Sequence, residues 1–288
     1  MLYEISLLTT IAISVMFALS LNLITGFCGQ ISLGHAAFLG VGAYVSALLS
    51  KAGVPFLLTI PVAMLFAGAL GLVVGLASLR VRADFLAITT MGVGFLFVGV
   101  VRQQDWLGGE MGLSGFPGSG LSKFGFMLLA LSMAGLTAGI SLYIQRAWIG
   151  RVFNGIAADE DTMRVLGIDV ASYKLTAFAI GTALAGAAGA LYASNIRFIA
   201  PDSFGFVESI TALSMVVVGG IGSVLWVAIA AAVLSALPVW FQVIGDYKLF
   251  VYGALLFAMM RFSPHGFAGM VKAVRTSRRA AKLRDGVA

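Results

Sequence analysis

Residues 150–193 read GRVFNGIAADEDTMRVLGIDVASYKLTAFAIGTALAGAAGALYA and join a charged segment directly to a long apolar run. The run, residues 173–193, has about the 20 residues that a helix needs to cross the hydrocarbon core of a membrane. The charged part carries acidic and basic side chains, which are costly to place in hydrocarbon. The stretch therefore predicts a transmembrane helix preceded by a segment outside the lipid.

The composition extends this prediction to the whole chain. Of its 288 residues, 60% are hydrophobic and only 10% are charged, whereas soluble domains carry about 25% charged residues. The apolar runs lack the alternation of outer-membrane barrels, and the first is too long for a cleavable signal peptide. We predict an all-α integral membrane protein, a polytopic bundle of about eight to ten transmembrane helices. The predicted spans are residues 5–24, 32–50, 57–79, 85–101, 124–144, 173–193, 207–219, 224–243 and 248–262.

The positions of the basic residues predict the orientation of the bundle. If the loops alternate between the two sides, one side receives thirteen of the 18 lysines and arginines. Cytoplasmic loops carry this excess, so residues 145–172 and the basic tail, 263–288, are predicted to be cytoplasmic. The 102–123 loop and the N-terminus are then periplasmic. Membrane topology also explains the net charge of +6 better than a nucleic-acid partner does.

The tail repeats an apolar pattern beside its basic residues. Phe267, Met270, Val271 and Val274 have helical spacing, so we predict an interfacial helix on the inner leaflet, in contact with membrane lipid.

The charged segment itself has a helical pattern. Ile149, Val152, Phe153 and Ile156 recur at the spacing of one helix face. One interpretation is an amphipathic helix that docks on another protein. The other is a solvated loop in which the pattern is incidental.

Two glycine-rich stretches interrupt the apolar runs, at residues 26–42 and 219–222. Interrupted helices in the two halves of a membrane protein are typical of a transport path, so Gly219 and Gly220 are candidates for the path or its gate. The polar residues Gln30, Ser32 and His35 lie at membrane depth and should face the bundle interior, so they are also candidates for the path or its gate. For His35, a hydrogen-bonded packing role is the alternative to a proton relay.

Small residues recur at helix-packing intervals within several spans. Gly135 with Gly139, and Gly181 with Ala185 and Gly189, have this spacing. It predicts close approach of neighbouring helices at both sites.

Several kinds of chemistry have no motif in the chain. There are two histidines and one cysteine, Cys28, with no metal-ligand spacing and no HExxH or GxSxG pattern. A phosphate-binding loop is also missing, so we expect neither an enzyme nor a cofactor or metal in this chain. Ionisable residues are almost absent from the predicted spans, with Glu208 nearest at the outer boundary. This favours a permease that is powered from elsewhere over a gradient-driven carrier.

Five segments carry a family resemblance. GQISLGHAAFLGVGAY (29–44), LRVRADFLAITTMG (79–92), residues 150–193, PDSFGFVESITALSMVVVGGIGS (201–223) and YGALLFAMMRFSPHGF (252–267) resemble, in this order, the LivM-type permease subunits of branched-chain amino acid ABC importers. The resemblance implies a multi-pass protein of the bacterial inner membrane with residues 1–262 as its permease domain. It also implies a second, LivH-type permease, two cytoplasmic ATPase subunits that bind ATP and Mg, and a periplasmic solute-binding protein.

The resemblance also places the family's ATPase-coupling loop. It matches residues 150–168, with Gly167 at a recurrent glycine, Asp159 and Glu160 in the acidic cluster, and Arg151 ahead of them. Asp161, Thr162 and Met163 depart from the alanines that are common there, and Val227 replaces a common glycine. The expected function is import of branched-chain amino acids. The alternatives are the same architecture importing urea, short amides or an aromatic acid, or an ATP-independent carrier or channel.

Overall fold

The computed structural model describes residues 2–78, 83–240, 247–263 and 266–269, and these residues are almost entirely helical. The α-helices are α1 (Leu2–Leu21), α2 (His35–Lys51), α3 (Phe56–Ser78), α4 (Ala83–Gln103), α5 (Lys123–Arg146), α6 (Trp148–Ala158), α7 (Glu160–Val165), α8 (Val170–Ile196), α9 (Phe206–Gly219), α10 (Val224–Trp240) and α11 (Lys248–Phe262). A π-helix at Asn22–Phe27 continues α1, and short 3-10 helices occupy Asp105–Leu107, Gly109–Met111 and Pro201–Phe204. The prediction of an all-α polytopic membrane protein is confirmed.

Each predicted span corresponds to a helix. Among the described residues, six helices are long and apolar enough to cross a membrane. The three other predicted spans are the shorter helices α2, α10 and α11, with 17, 17 and 15 residues. Seventeen residues of helix rise about 25 Å, less than the hydrocarbon thickness. For α2 this shortening results from the predicted interruption, because helix resumes only at His35.

Glycines let α8 pack closely within the bundle. A Cβ at Gly189 would overlap the carbonyl oxygen of Leu39 on α2, and one at Gly181 would overlap Ile24 in the π-helix. The predicted close approach is confirmed there. Among the described residues of this chain it is wrong for Gly135 and Gly139 on α5, where a Cβ would have no neighbour within 4 Å.

The segments predicted to share a side of the membrane contact one another. At the end predicted to be periplasmic, which we call the outer end, Leu113–Ser114 pairs antiparallel with Phe198–Ile199, and Arg102 forms an ion pair of 2.6 Å with Asp202. The glycine-rich outer loop is therefore tied to the end of α8, a pairing that the sequence pattern does not reveal. At the end predicted to be cytoplasmic, which we call the inner end, the first interruption meets the segment between α5 and α8, and the second interruption meets the first.

Some predictions fall on residues outside the described ranges. These include Met270, Val271 and Val274 of the predicted interfacial helix and nearly all of the basic tail.

Candidate functional site at the inner ends of the helices

The apolar face of α6 is buried within the chain's own bundle. Val152, Phe153 and Ile156 are 3%, 0% and 2% exposed, and the Phe153 ring meets Tyr173 of α8 edge-on, with centroids 6.3 Å apart. The predicted amphipathic helix is confirmed. The α5, π-helix and α8 segments supply the apolar surface that covers this face, so docking on another protein, which stays a prediction, must use the opposite side.

The opposite side of this segment is exposed. Trp148, Val165 and Leu166 are 62%, 88% and 69% exposed, and the guanidinium of Arg151 lies over the Trp148 ring, 5.6 Å from its centroid. We call Trp148, Arg151, Arg164, Val165 and Leu166 the inner surface patch. It combines bulky apolar side chains with basic groups, as protein-binding surfaces often do.

Asp159 caps the start of α7. Its carboxylate accepts hydrogen bonds from the backbone N–H groups of Asp161 (2.9 Å) and Thr162 (3.2 Å) and from the Thr162 hydroxyl (2.6 Å). These bonds stabilise the charged form, so they lower the pKa of Asp159 below its usual value, with the Thr162 hydroxyl as the main cause. The helix ends before Gly167, which has a φ of +81°. A left-handed residue after a helix is a common stop signal that favours glycine.

An ion-pair cluster connects α7 to α8. Glu160 pairs with Lys174, and Arg164 pairs with Glu160 (3.4 Å) and Asp161 (2.8 Å). The side chains of Lys174 and Glu160 are 15% and 27% exposed, whereas those of Arg164 and Asp161 are 59% and 89% exposed. Partial burial reduces solvent screening, so the Glu160–Lys174 pair should contribute most to holding α7.

Lys174 also contacts the first helix interruption. The side-chain amide of Gln30 donates to the backbone carbonyl oxygen of Lys174 over 3.2 Å. The Thr25 hydroxyl donates to the backbone carbonyl oxygen of Gln30 over 3.0 Å. Gly29 has a φ of +71°, and a Cβ there would lie 3.1 Å from Ala157 of α6. The interruption therefore rests directly on both α6 and α8.

The second interruption contacts the first. The backbone N–H of Gly222 donates to Asn22 Oδ1 over 3.0 Å, and the Gln145 amide donates to the Gly222 carbonyl over 2.9 Å. A Cβ at Gly26 would lie 2.7 Å from the Gly222 nitrogen. Gln145 lies in the last turn of α5, just before α6. Sequence reasoning missed Gln145, although an amide at the end of an apolar span was a usable signal.

His35 and Ser32 are fully buried beside the first interruption. His35 Nε2 lies 2.8 Å from the Ser20 hydroxyl, and its ring stacks on Phe17 with centroids 5.3 Å apart. Ser32 Oγ and His35 Nδ1 have no hydrogen-bond partner among the described residues. These contacts match the packing interpretation of His35.

A cavity of about 250 Å³ lies in the outer half of the bundle, among α1, α2, α8, α9, α10 and α11. Its lining includes Phe17, Asn195, Glu208, Met215 and Tyr252. The sequence-based path candidates do not line this cavity: Gln30, Ser32 and His35 are buried at the first interruption, and Gly219 and Gly220 lie at the second. Their role in a path stays a prediction.

No group of three or more histidine, cysteine or acidic side chains that could hold a metal occurs within the described ranges. The contacts instead connect the charged segment and its flanking helices physically to the helix interruptions. The α6–α7 segment contacts the first interruption directly at Ala157 and through Lys174 of α8, whereas the second interruption is bound by Gln145, in the last turn of α5 just before α6.

Comparison with known proteins identifies relatives over nearly the whole chain. Residues 4–260 match the family described as branched-chain amino acid transport system, permease component. The chain is 31% identical over 315 aligned positions to the high-affinity branched-chain amino acid transport system permease protein LivM of Escherichia coli (strain K12), covering 99% of this chain and 73% of that protein. It is 28% identical to BraD of Pseudomonas aeruginosa, a permease protein of the same kind of system, covering 88% of this chain and 91% of BraD.

More distant similarity extends to other transporters. The autoinducer 2 import system permease protein LsrC of an Enterobacter species is 30% identical, but this match covers only 57% of the chain and 49% of LsrC. Among solved structures, the chain resembles a metal-chelate type ABC transporter in an inward-facing conformation. The TM-score is 0.54 at 18% identity, covering 89% of this chain and 84% of the other. That likeness concerns the fold alone.

Proposed function

Because the chain belongs to the permease-component family of branched-chain amino acid transport systems, we propose that it is one of two permease subunits of an ATP-driven importer in the bacterial inner membrane. The second permease is of the LivH type, two cytoplasmic ATPase subunits bind ATP and Mg, and a periplasmic solute-binding protein delivers the solute. The imported solutes are leucine, isoleucine and valine.

The observation that carries this proposal is the position of the α6–α7 segment. Its apolar face is fixed in the bundle at Phe153, and its exposed side presents the inner surface patch. The helices that flank it, α5 and α8, bind the two helix interruptions through Gln145 and Lys174. A segment held in this way cannot move without moving α5, α8 and the π-helix. Packed interfaces switch between discrete arrangements rather than deforming continuously.

The coupling mechanism follows from these contacts. An ATPase subunit that binds the inner surface patch displaces α6 and α7 when the nucleotide-bound dimer closes. The Glu160–Lys174 pair and the Gln30–Lys174 bond transmit this displacement to α8 and to the first interruption. The Gln145–Gly222 bond transmits it to the turn between α9 and α10. The ATPase can shift the permease between states only if its affinity for the two states differs.

A matched pair of surface substitutions tests the assignment. Val165 in the inner surface patch and Met111 in the outer loop are each 88% exposed, so replacing either by glutamate should leave packing unchanged. We expect Val165→Glu to lose both co-purification of the ATPase subunits and ATP-driven leucine uptake in proteoliposomes that contain all subunits. Met111→Glu should retain the ATPase subunits. ATPase binding by Val165→Glu at the wild-type level would overturn the assignment.

A second experiment separates the importer from other classes of transporter. ATP-dependent uptake by the assembled subunits, absent when the ATPases are omitted, supports the importer. Uptake by this chain alone in liposomes without ATP would identify a carrier or channel instead. Screening labelled leucine against urea, short amides, an aromatic acid and autoinducer 2 then separates the alternative solutes, since related permeases include an autoinducer 2 system.

A further inference from the structure

A second, polar cavity of about 330 Å³ lies at the outer ends of α1, α5 and α8. Seven polar or basic side chains contribute to its lining: Ser6, Thr9, Ser119, Lys123, Ser194, Asn195 and Arg197. None of these residues belongs to the inner site described above. The cavity lies on the side where a solute arrives in an importer, and this position prompts the question of what it binds.

The cavity is positively charged. Lys123 is the first residue of α5, and Arg197 directly follows α8, with its guanidinium packed against Gly118. Neither side chain forms an ion pair with a carboxylate of the described residues, whereas Arg102, Arg164 and Lys174 do. Two cationic groups at one polar cavity attract anions.

A buried hydroxyl adds independent evidence for a ligand. Ser194 is only 8% exposed and lines this cavity, yet its Oγ has no hydrogen-bond partner among the described residues. Buried polar groups are usually paired, and an exception calls for an explanation. Rotation of the Ser194 side chain towards the cavity would allow its hydroxyl to donate to a ligand oxygen beside Lys123 and Arg197.

We propose that this cavity is an oxyanion-binding site at the outer mouth of the permease. For the function proposed above, on which this ligand identity rests, the oxyanion is the carboxylate of the incoming amino acid. Asn195 lines both this cavity and the neighbouring 250 Å³ cavity. The 250 Å³ cavity is lined by Glu208 together with Ile13 and Met215. A cationic cavity followed by an acidic and aliphatic one suits a zwitterion with an aliphatic side chain.

The phosphate of an outer-leaflet lipid has the same oxyanion chemistry, so the test must separate the two sources. The only native cysteine, Cys28, is buried, which allows labelling of a single introduced thiol. Ser194→Cys places that thiol in the cavity, and Ser114→Cys places one at an exposed position of the outer loop. Each variant is purified with its partner subunits and treated separately with the anionic 2-sulfonatoethyl and the cationic trimethylammonioethyl methanethiosulfonate.

We expect the ratio of anionic to cationic labelling rates to be about tenfold higher in Ser194→Cys than in Ser114→Cys. Adding Arg197→Asn should lower this ratio, whereas Arg197→Lys should preserve it. Asparagine is suitable because Arg197 has a φ of +59°, which asparagine accepts more readily than most residues. Equal ratios for Ser194→Cys and Ser114→Cys in a correctly assembled preparation would overturn the proposal.

Protection experiments identify the source of the oxyanion. Slower labelling in the presence of leucine, but not of leucinamide, supports the solute carboxylate. Slower labelling with added phosphatidylglycerol, but not with leucine, assigns the site to a lipid phosphate and overturns the solute carboxylate. ATP-driven leucine uptake is measured on the same preparations. Normal uptake with equal labelling ratios rejects this site but not the proposed function. A raised labelling ratio in Ser194→Cys without ATP-driven uptake supports the oxyanion site but counts against the proposed function.

Discussion

Asn22 and Gly222 are 200 residues apart in sequence, and a 3.0 Å hydrogen bond from the Gly222 backbone N–H to Asn22 Oδ1 joins them. This bond connects the π-helix after α1 to the turn between α9 and α10. Gln145 binds the carbonyl group of the same glycine, so both backbone polar groups of Gly222 are held by side-chain amides. The two helix interruptions therefore form one structural unit at the inner end of the bundle.

Replacing Asn22 should weaken this unit. Asn22→Ala leaves the Gly222 N–H without its acceptor, and a lost interhelical hydrogen bond in a membrane protein costs about 1–2 kcal/mol at most. We expect a lower melting temperature in detergent, by about 2–4 °C for each kcal/mol. Ser132→Ala is the control, because the Ser132 hydroxyl bonds only within its own helix at an exposed position. An unchanged melting temperature for Asn22→Ala would contradict the inferred role of the bond.

Gly189 and Gly139 each lie four residues after another small residue, but they should respond differently to replacement by alanine. Gly189→Ala would overlap the Leu39 carbonyl oxygen, and overpacking of this kind typically costs 1–3 kcal/mol. At Gly139 a Cβ has no neighbour within 4 Å, so alanine should be neutral or should stabilise the helix by roughly 0.5–1 kcal/mol. Melting temperatures of the two variants provide the comparison. Equal values would indicate that the approach of α8 to α2 is looser than the structure shows.

This contrast shows which features the sequence could predict. Long apolar runs locate the helices because the cost of unpaired backbone groups in lipid leaves few alternatives. Small-residue spacing and the apolar stripe of α6 indicate helix faces that pack against another surface. They do not identify the surface that packs there. Gly181 and Gly189 meet neighbouring helices, whereas Gly139 meets none.

The candidate site was predictable only in part. Both interruptions and the charged segment are evident in the sequence, but their mutual contact depends on pairings between distant residues. Gln30 was predicted as a path or gate residue because polar groups at membrane depth face the bundle interior. It is buried there and donates to the Lys174 carbonyl, a partner 144 positions away that periodicity cannot identify.

The Glu160–Lys174 ion pair should contribute to coupling. Glu160→Gln removes its charge, and we expect ATP-driven uptake to fall by about fivefold or more, the lower end of typical coupling energies. Asp161→Asn is the matched control, since Asp161 is 89% exposed and, among the described residues, pairs only with Arg164. The exchange Glu160→Lys with Lys174→Glu should restore part of the uptake lost in either single variant. Full uptake by Glu160→Gln would exclude the pair from coupling.

Gly167 should tolerate only residues that accept a left-handed backbone. Its φ is +81°, while a Cβ would meet nothing within 4 Å, so any cost comes from the backbone conformation and not from a clash. Gly167→Asn should retain uptake, because asparagine populates this region more readily than other residues. Gly167→Val should shift the end of α7 and lower uptake while membrane insertion remains normal. If both variants transport like the wild type, the turn is not required.

Acid should loosen α7 through Asp159. Hydrogen bonds from Thr162 and the backbone lower the pKa of this carboxylate in the folded state below the unfolded value of about 3.9. The bonds therefore stabilise α7 fully above that unfolded value, and the stabilisation is lost as the pH falls through the lower folded pKa. We expect the backbone amides of residues 161–166 to lose protection from hydrogen exchange below about pH 4. The reference at each pH is the variant Asp159→Asn. Asp159→Asn keeps an acceptor at the helix cap but cannot titrate, so its protection should not depend on pH in this range. Equal acid sensitivity of the wild type and Asp159→Asn would show that another group controls the stability of α7.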